Sequence, residues 1–257
     1  MKNGMLKLAG LDLELFEDGG GAPLLFLHSA RGLQQDQAFV DRLAKTRRVI
    51  VPSHPGFGHS GLPDWLDTPD DIAHIYLELM DRLGLAKADL AGITIGGWIA
   101  AEMATKAPER FRKIALVAPV GVKTGPVDKL DIPDVFAVPQ ERIDRWLYLD
   151  PAKHVTDTSR LSDDELTVMV RNRETFAMLV WEPWMHNPKL KHRLQRIAAP
   201  TLFVRGESDE IVSADYTERY ARLVPNARVE TIANAAHAVQ AEQPDALAAK
   251  VLGFLDA

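Results

Sequence analysis

The stretch DLAGITIGGWIAAEMA, residues 89–104, decides the fold. It starts as a short apolar strand, Leu90 to Ile93, and ends as an amphipathic helix rich in alanine. Between them stands G-I-T-I-G, with Gly92 and Gly96 two residues either side of Thr94. A strand that turns straight into a helix brings two backbone segments close, and only the smallest side chains fit where they pass. A lone G-x-x-x-G carries little weight. Set between a buried strand and a helix, it puts the Thr94 hydroxyl at the apex of a sharp bend.

The same alternation extends outward in both directions. Leu6–Ala9 and Leu11–Phe16 read as an opening antiparallel hairpin, and Leu24–Leu27 as a buried strand ending at His28. Arg48–Pro52, Ile114–Val117, Thr201–Val204 and Val229–Ile232 complete the set. Unbroken apolar runs of this length suit strands covered on both faces, as in a parallel sheet. The helices between them carry their own punctuation. Thr68 is an N-cap, Pro69 takes the first helical position, Asp70 and Asp71 fill the first turn, and Gly84 stands past the end. Ser213 caps a helix through Leu223, and Pro244 opens a last helix ending near Leu255. Strands alternating with helices predict a parallel sheet with helices on both sides.

One region breaks this rhythm. Residues 121–197 carry no strand signal but hold Trp146, Trp181, Trp184, several prolines and the charged run RNRE at 171–174. The expected division is therefore a core of 1–120 and 198–257 with a helical insertion of 121–197. Ligands of open α/β sheets sit beyond the carboxyl ends of the strands, where an insertion after Val117 would lie as a lid.

Composition narrows the function. With 257 residues, 46% of them apolar, the chain is long enough for one sizeable α/β core. A net charge of −6 argues against nucleic acid as a partner, because that role needs a basic face. The absence of cysteine removes disulfides, thiolate metal sites and a cysteine nucleophile, and fits a cytoplasmic setting. The N-terminus lacks a continuous apolar signal core, and no run reaches the 18 or so apolar residues of a membrane span. No His/Asp/Glu cluster has metal-ligand spacing, so no metal and no cofactor are expected. The expected partner is a small-molecule substrate, with the chain a monomer or homodimer.

On the strand-turn-helix at G-I-T-I-G the chain resembles the α/β-hydrolase fold of the small, capped type, over essentially its whole length. The resemblance implies a mostly parallel eight-stranded sheet flanked by helices, with a helical cap inserted after the sixth strand. The family's chain order is nucleophile, acid, histidine. Asp209, in GESDEIV, follows Thr94 by 115 residues (209 − 94), and His237, in HAVQAEQP, follows by 28 more (237 − 209). These match the family's G-x-x-D-x-[IV] and H-x-x-x-x-E-x-P loops. LHSARG at 27–32 stands where the family has its His-Gly-x-Gly loop, which implies an oxyanion hole from the amide of Ser29 or Ala30 together with that of Ile95. SHPGFGHS at 53–60 matches D-x-P-G-x-G-x-S, with Ser53 in place of the acid.

Thr94 is the departure that matters. The elbow residue is held at positive φ, where a β-branched side chain is an outlier, at a strain of roughly 1–3 kcal/mol. Its hydroxyl can still attack a carbonyl when a base serves it. Thr94 also has a reading as a buried polar residue in a retired site. Glu207 is the competing acid, Glu210 is expected to be solvated, and Ser29 is an alternative hydroxyl outside the elbow. His28 is read as orienting its loop, and His54, His59, His74, His154 and His192 as surface or packing residues. In WEPWMHNPKL, Trp181, Trp184 and Met185, with Trp146, are candidates for an apolar pocket wall, and His186 and Asn187 for polar contacts. Packing of lid on sheet explains them equally well. Arg171 and Arg173 would suit a substrate carboxylate, or a solvated helix face.

Two functions follow. The first is a cofactor-free hydrolase of an ester, lactone or related acyl compound, working through Thr94, His237 and Asp209. The second is a catalytically impaired or non-hydrolytic member that binds a small ligand under its cap. Family members that hydrolyse C–C bonds often place Trp right after the histidine; this chain has Ala238, which weighs against that chemistry.

Overall fold

In the computed structural model, which describes residues 1–154 and 156–257, eight strands form one sheet. In chain order they are β1 (Lys2–Leu8), β2 (Leu11–Asp18), β3 (Ala22–Leu27), β4 (Arg47–Pro52), β5 (Ala88–Ile93), β6 (Phe111–Val117), β7 (Thr201–Gly206) and β8 (Ala227–Ile232). Their spatial order is β1-β2-β4-β3-β5-β6-β7-β8. The β1–β2 hairpin and the β2–β4 pair are antiparallel, and every later pair is parallel.

The helices are α1 (Leu33–Leu43), α2 (Pro69–Arg82), α3 (Ile95–Lys106), α4 (Gln140–Leu147), α5 (Asp163–Val180), α6 (Ala214–Ala221), α7 (Val239–Glu242) and α8 (Pro244–Asp256). Side-chain alternation along the strands divides the core in two. Leu25, Leu27, Leu90, Leu116 and Phe203 face a cluster shared with α2, α3 and α6. Leu24, Phe26, Ala91, Val117 and Val204 face a second cluster with α1 and α8. This double coverage is why the strands read as continuous apolar runs. Thr68 closes the expected start of α2 as a capping box with Asp71.

Two elements differ from expectation. Read from sequence as amphipathic, α3 is buried from Ile95 to Thr105, because it lies against the sheet with α2 on its other side. Helix α1, whose first turn is polar, was not foreseen at all. Between β6 and β7, among the described residues, the chain forms α4, α5 and short 3-10 turns but no strand. Helix α5 is stitched to the 53–60 loop. Arg171 donates to the Gly58 and Ser60 carbonyls at 3.0 and 2.5 Å, Asn172 accepts from the Gly58 N–H at 2.9 Å, and Thr175 donates to the Gly56 carbonyl at 2.9 Å. In the same loop the missing acid at Ser53 is answered by Glu14 of β2. Its buried carboxylate accepts from the His59 N–H at 3.2 Å. Among the described residues no helix is long and apolar enough to cross a membrane.

Candidate active site

The bend at the end of β5 has the strained geometry its residues predict. Thr94 sits at φ 51°, ψ −106°, and α3 begins at the next residue. Three backbone bonds hold it there. The Thr94 N–H donates to the Val117 carbonyl at 2.9 Å, and its own carbonyl accepts from Trp98 at 3.1 Å and Val120 at 3.3 Å. Strain of this kind persists where neighbours over-determine the backbone. The flanking glycines are required by close approach. A Cβ on Gly92 would collide with the Gly96 backbone, and one on Gly96 with the carbonyls of Leu27 and His28.

Three loops at the carboxyl ends of β5, β7 and β8 then converge. His237 Nε2 lies 3.2 Å from Thr94 Oγ1, and His237 Nδ1 lies 2.9 Å from Asp209 Oδ2. The other carboxylate oxygen, Asp209 Oδ1, accepts from the N–H groups of Ile211 at 2.9 Å and Val212 at 2.8 Å. Those two bonds fix the carboxylate plane. The carboxylate in turn keeps the proton on Nδ1 and turns the Nε2 lone pair toward the hydroxyl. All three side chains are buried, so little water competes with the chain of contacts. Glu207 and Glu210 are both exposed.

The oxyanion side requires a correction. Ser29 was a candidate amide donor, but its N–H is already engaged, donating to Asp36 Oδ2 at 2.6 Å, and its hydroxyl donates to Asp36 Oδ1 at 2.9 Å. The same bonds remove Ser29 as a free nucleophile. Ala30 is the next amide and has no protein acceptor among the described residues. Ile95 is the first residue of α3, so its N–H lacks an intrahelical acceptor.

Beneath this loop two histidines form a closed network. His28 Nε2 accepts from the His54 N–H at 2.9 Å, and its Nδ1 donates to the Ser29 carbonyl at 2.7 Å. His54 Nε2 donates to the His28 carbonyl at 2.9 Å, and its Nδ1 accepts from the Tyr76 hydroxyl at 2.6 Å. Burial holds the His28 pKa down to about 4 and lowers that of His54 well below the usual value. Both rings are neutral hydrogen-bonding struts.

The insertion reaches the site through α4. The Trp146 and Leu147 carbonyls accept from the backbone N–H groups of His237 at 3.4 Å and Ala238 at 2.9 Å. Met185 is buried at φ 53°, Trp184 donates from its indole to the Ile132 carbonyl at 3.0 Å, and His186 pairs with Gly121. Trp181 is 59% exposed and borders an open surface cleft of about 440 Å³ with Asp67, Thr68 and Met178, leaning edge-on against Trp184. Asn187 turns inward, donating to Glu102 at 2.8 Å. Arg171 is occupied by backbone carbonyls, and Arg173 lies over the Phe136 ring.

Two of the buried carboxylates that sequence reasoning missed, Asp36 and Glu102, have strongly raised pKa values. Asp36 stands three, four and seven residues before Phe39, Val40 and Leu43, the buried stripe of α1, and that spacing could have revealed it. Glu102 lies one turn after Trp98 on α3, with only the run AAEMA to mark it. Burial pushes both pKa values up to about 7.

A strained hydroxyl on a strand-to-helix bend, followed in the chain by an acid and then a histidine, defines the class. The chain belongs to the alpha/beta hydrolase family, whose model matches residues 24–250. It is 26% identical to the 2-hydroxymuconate semialdehyde hydrolase of Pseudomonas putida, covering 96% of this chain and 92% of the relative. It is 27% identical to a 2-hydroxy-6-oxo-2,4-heptadienoate hydrolase of the same species, covering 98% and 96%. Among solved structures, the meta-cleavage product hydrolase of Pseudomonas fluorescens superposes with a TM-score of 0.79 at 20% identity over 98% of this chain and 97% of the other. A thermophilic esterase from Thermogutta terrifontis superposes with a TM-score of 0.74 at 21% identity over 100% and 98%.

Proposed function

We propose that this chain is a cofactor-independent hydrolase of a small ester, lactone or related acyl compound, with Thr94 as its nucleophile. Thr94 Oγ1 attacks the substrate carbonyl while its proton passes to His237 Nε2. Asp209 stabilises the imidazolium, and the amides of Ile95 and Ala30 hold the oxyanion. Collapse expels the alkoxide, which takes the proton from His237. Water, deprotonated by the same nitrogen, then releases the acid and restores the Thr94 hydroxyl. Residues 121–197 act as a cap, with Trp146, Trp184 and Met185 on its inner side.

The observation that carries this reading is the unbroken contact chain from Thr94 through His237 to Asp209, at 3.2 and 2.9 Å. Rates of p-nitrophenyl acetate hydrolysis by the wild type and His237→Ala test it. Loss of the general base is expected to lower kcat on the order of 10³-fold. Equal residual rates in the two proteins would remove the reading.

The named activities of the two Pseudomonas putida relatives support a second reading, hydrolysis of a C–C bond in a 2-hydroxy-6-oxo dienoate. Ala238 after the histidine weighs against it. Parallel assays with such a dienoate and the ester separate the two. A non-hydrolytic binder would turn over neither.

A further inference from the structure

Asp36 takes no part in the steps above, yet it is one of the most deeply buried charges in the molecule, at 0% exposure. Its carboxylate contacts both loops that meet at the substrate. From the 27–32 loop it receives the Ser29 N–H at 2.6 Å and the Ser29 hydroxyl at 2.9 Å. From α7, three residues after His237, it receives the Gln240 side-chain amide at 3.0 Å. Resting on the hydrolase reading of this site, we propose that Asp36 is a positioning residue, one that aims the Ala30 amide at the oxyanion by fixing Ser29 and locks that loop to the histidine loop.

The argument is geometric. Ser29 opens a turn closed by the Gly32 N–H on the Ser29 carbonyl at 3.1 Å. Within so short a turn, the direction of the Ser29 amide sets the direction of the next one. The Ser29 N–H to Asp36 contact is as short as charge-assisted bonds become. It removes Ser29 as a donor and leaves Ala30 as the free one. Among the described residues Gln240 Oε1 makes no hydrogen bond, so Gln240 reaches the Ser29 loop only through Asp36. The oxyanion donors and the base must meet one carbonyl, and a displacement of about 1 Å there is enough to cost ~10²-fold in rate.

The chemistry of the position supports a functional demand. No cation pairs with Asp36 among the described residues, so nothing offsets the burial of its charge. Burial raises its pKa to about 7. A merely space-filling position beside Phe39 and Val40 would be better served by an apolar side chain. The carboxylate is kept where it can accept from three donors at once, which neither an amide nor a hydroxyl does.

The test is Asp36→Asn, assayed with p-nitrophenyl acetate after counting active sites by burst titration. The carboxamide keeps the shape but turns an NH₂ against one of the three donors. The expected result is a fall in kcat of about 10²-fold, comparable to loss of one oxyanion donor, with KM within about twofold. Hydrogen exchange of the Ser29 amide should quicken at least tenfold. A role in folding alone would lower the active-site count and leave kcat per site unchanged, and that result overturns the proposal. Should Asp36→Asn fail to fold, Gln240→Leu leaves Asp36 in place and detaches only the histidine loop. It should lower kcat several-fold, and an unchanged kcat contradicts the lock. If the wild type proves no faster than His237→Ala, the hydrolase reading is what has failed. Exchange at Ser29 then decides alone: unchanged exchange in Asp36→Asn rejects the tether, and faster exchange upholds it.

Discussion

The elbow and the insertion solve the same problem, placing side chains over the ends of the strands, by opposite means. Around Thr94 the placement is local. Two glycines, one strained residue and three backbone hydrogen bonds hold a hydroxyl within a few residues of where the chain turns. The insertion is placed remotely. Arg171, Asn172 and Thr175 reach partners more than 110 residues earlier in the chain, and the end of α4 rests on the histidine loop. Backbone geometry therefore fixes the Thr94 hydroxyl, and side-chain tethers fix the insertion. The elbow should fail abruptly on a one-carbon change, and the insertion should loosen by degrees.

The largest expected effect is at Gly96. Gly96→Ala places a methyl against the backbone carbonyls of Leu27 and His28, neither of which has freedom to move. We expect a loss of about 4 kcal/mol or more, read as insoluble protein or a collapsed thermal transition. A soluble variant with a near-native Tm would show that strand and helix can part, and the local account of the elbow would fail.

Thr94→Ser comes next and acts on chemistry. It removes the methyl beside the hydroxyl and relaxes a β-branched residue at φ 51°. The expected change in ester hydrolysis is an increase of roughly 10- to 100-fold, with Tm unchanged or slightly raised. A decrease would mean that the methyl orients the hydroxyl productively.

Asn172→Ala probes the insertion. It deletes the bonds to the Gly58 N–H and the Arg31 carbonyl and should lower stability by about 1–2 kcal/mol, with kcat falling far less than at the elbow. A collapse as steep as that expected at Gly96 would erase the distinction between the two regions.

The smallest effect joins them. Glu102 lies on the elbow helix, accepts from Asn187 of the insertion at 2.8 Å and from the Trp98 indole at 3.2 Å, and has its Oε2 unpartnered. Burial raises its pKa from 4.5 to about 7. The folded state therefore holds a proton that the unfolded state has lost between about pH 4.5 and 7, and stability falls as pH rises through that window. Glu102→Gln removes the penalty. Its stability relative to wild type, read by denaturant unfolding, should climb from pH 5 to pH 8 by an amount on the order of 1 kcal/mol, and a flat difference would contradict the assignment. Asp70 adjoins the same carboxylate and adds to the upward shift, and Lys106 Nζ lies 3.9 Å from Glu102 Oε2.

The contrast also explains what could be read from sequence. Thr94, Asp209 and His237 were legible because each follows a strand, after β5, β7 and β8, in a loop with a local motif of its own. The central strands β3 to β7 were legible because burial on both faces makes them largely apolar, whereas β1, β2 and β8 are partly exposed and carry polar residues. Asp36 was not, because α1 opens on LQQDQ and its stripe of Phe39, Val40 and Leu43 is short. The exclusion of Ser29 as an oxyanion donor depends on that one unforeseen helix. Trp181 and Trp184 look alike in WEPWMHNP, yet the turn between them leaves one at the surface and the other half-buried on Ile132. Tethers such as Asn172 to Gly58 join chain positions that no periodicity links.

The central claim is that Thr94 is the nucleophile and His237 its base. Treatment with a fluorophosphonate, followed by mass spectrometry of the tryptic peptide spanning 88–106, tests it most directly. The account predicts a single adduct on that peptide, located at Thr94 and lost in both Thr94→Ala and His237→Ala. An unlabelled protein, or an adduct carried by Ser29 instead, would contradict it.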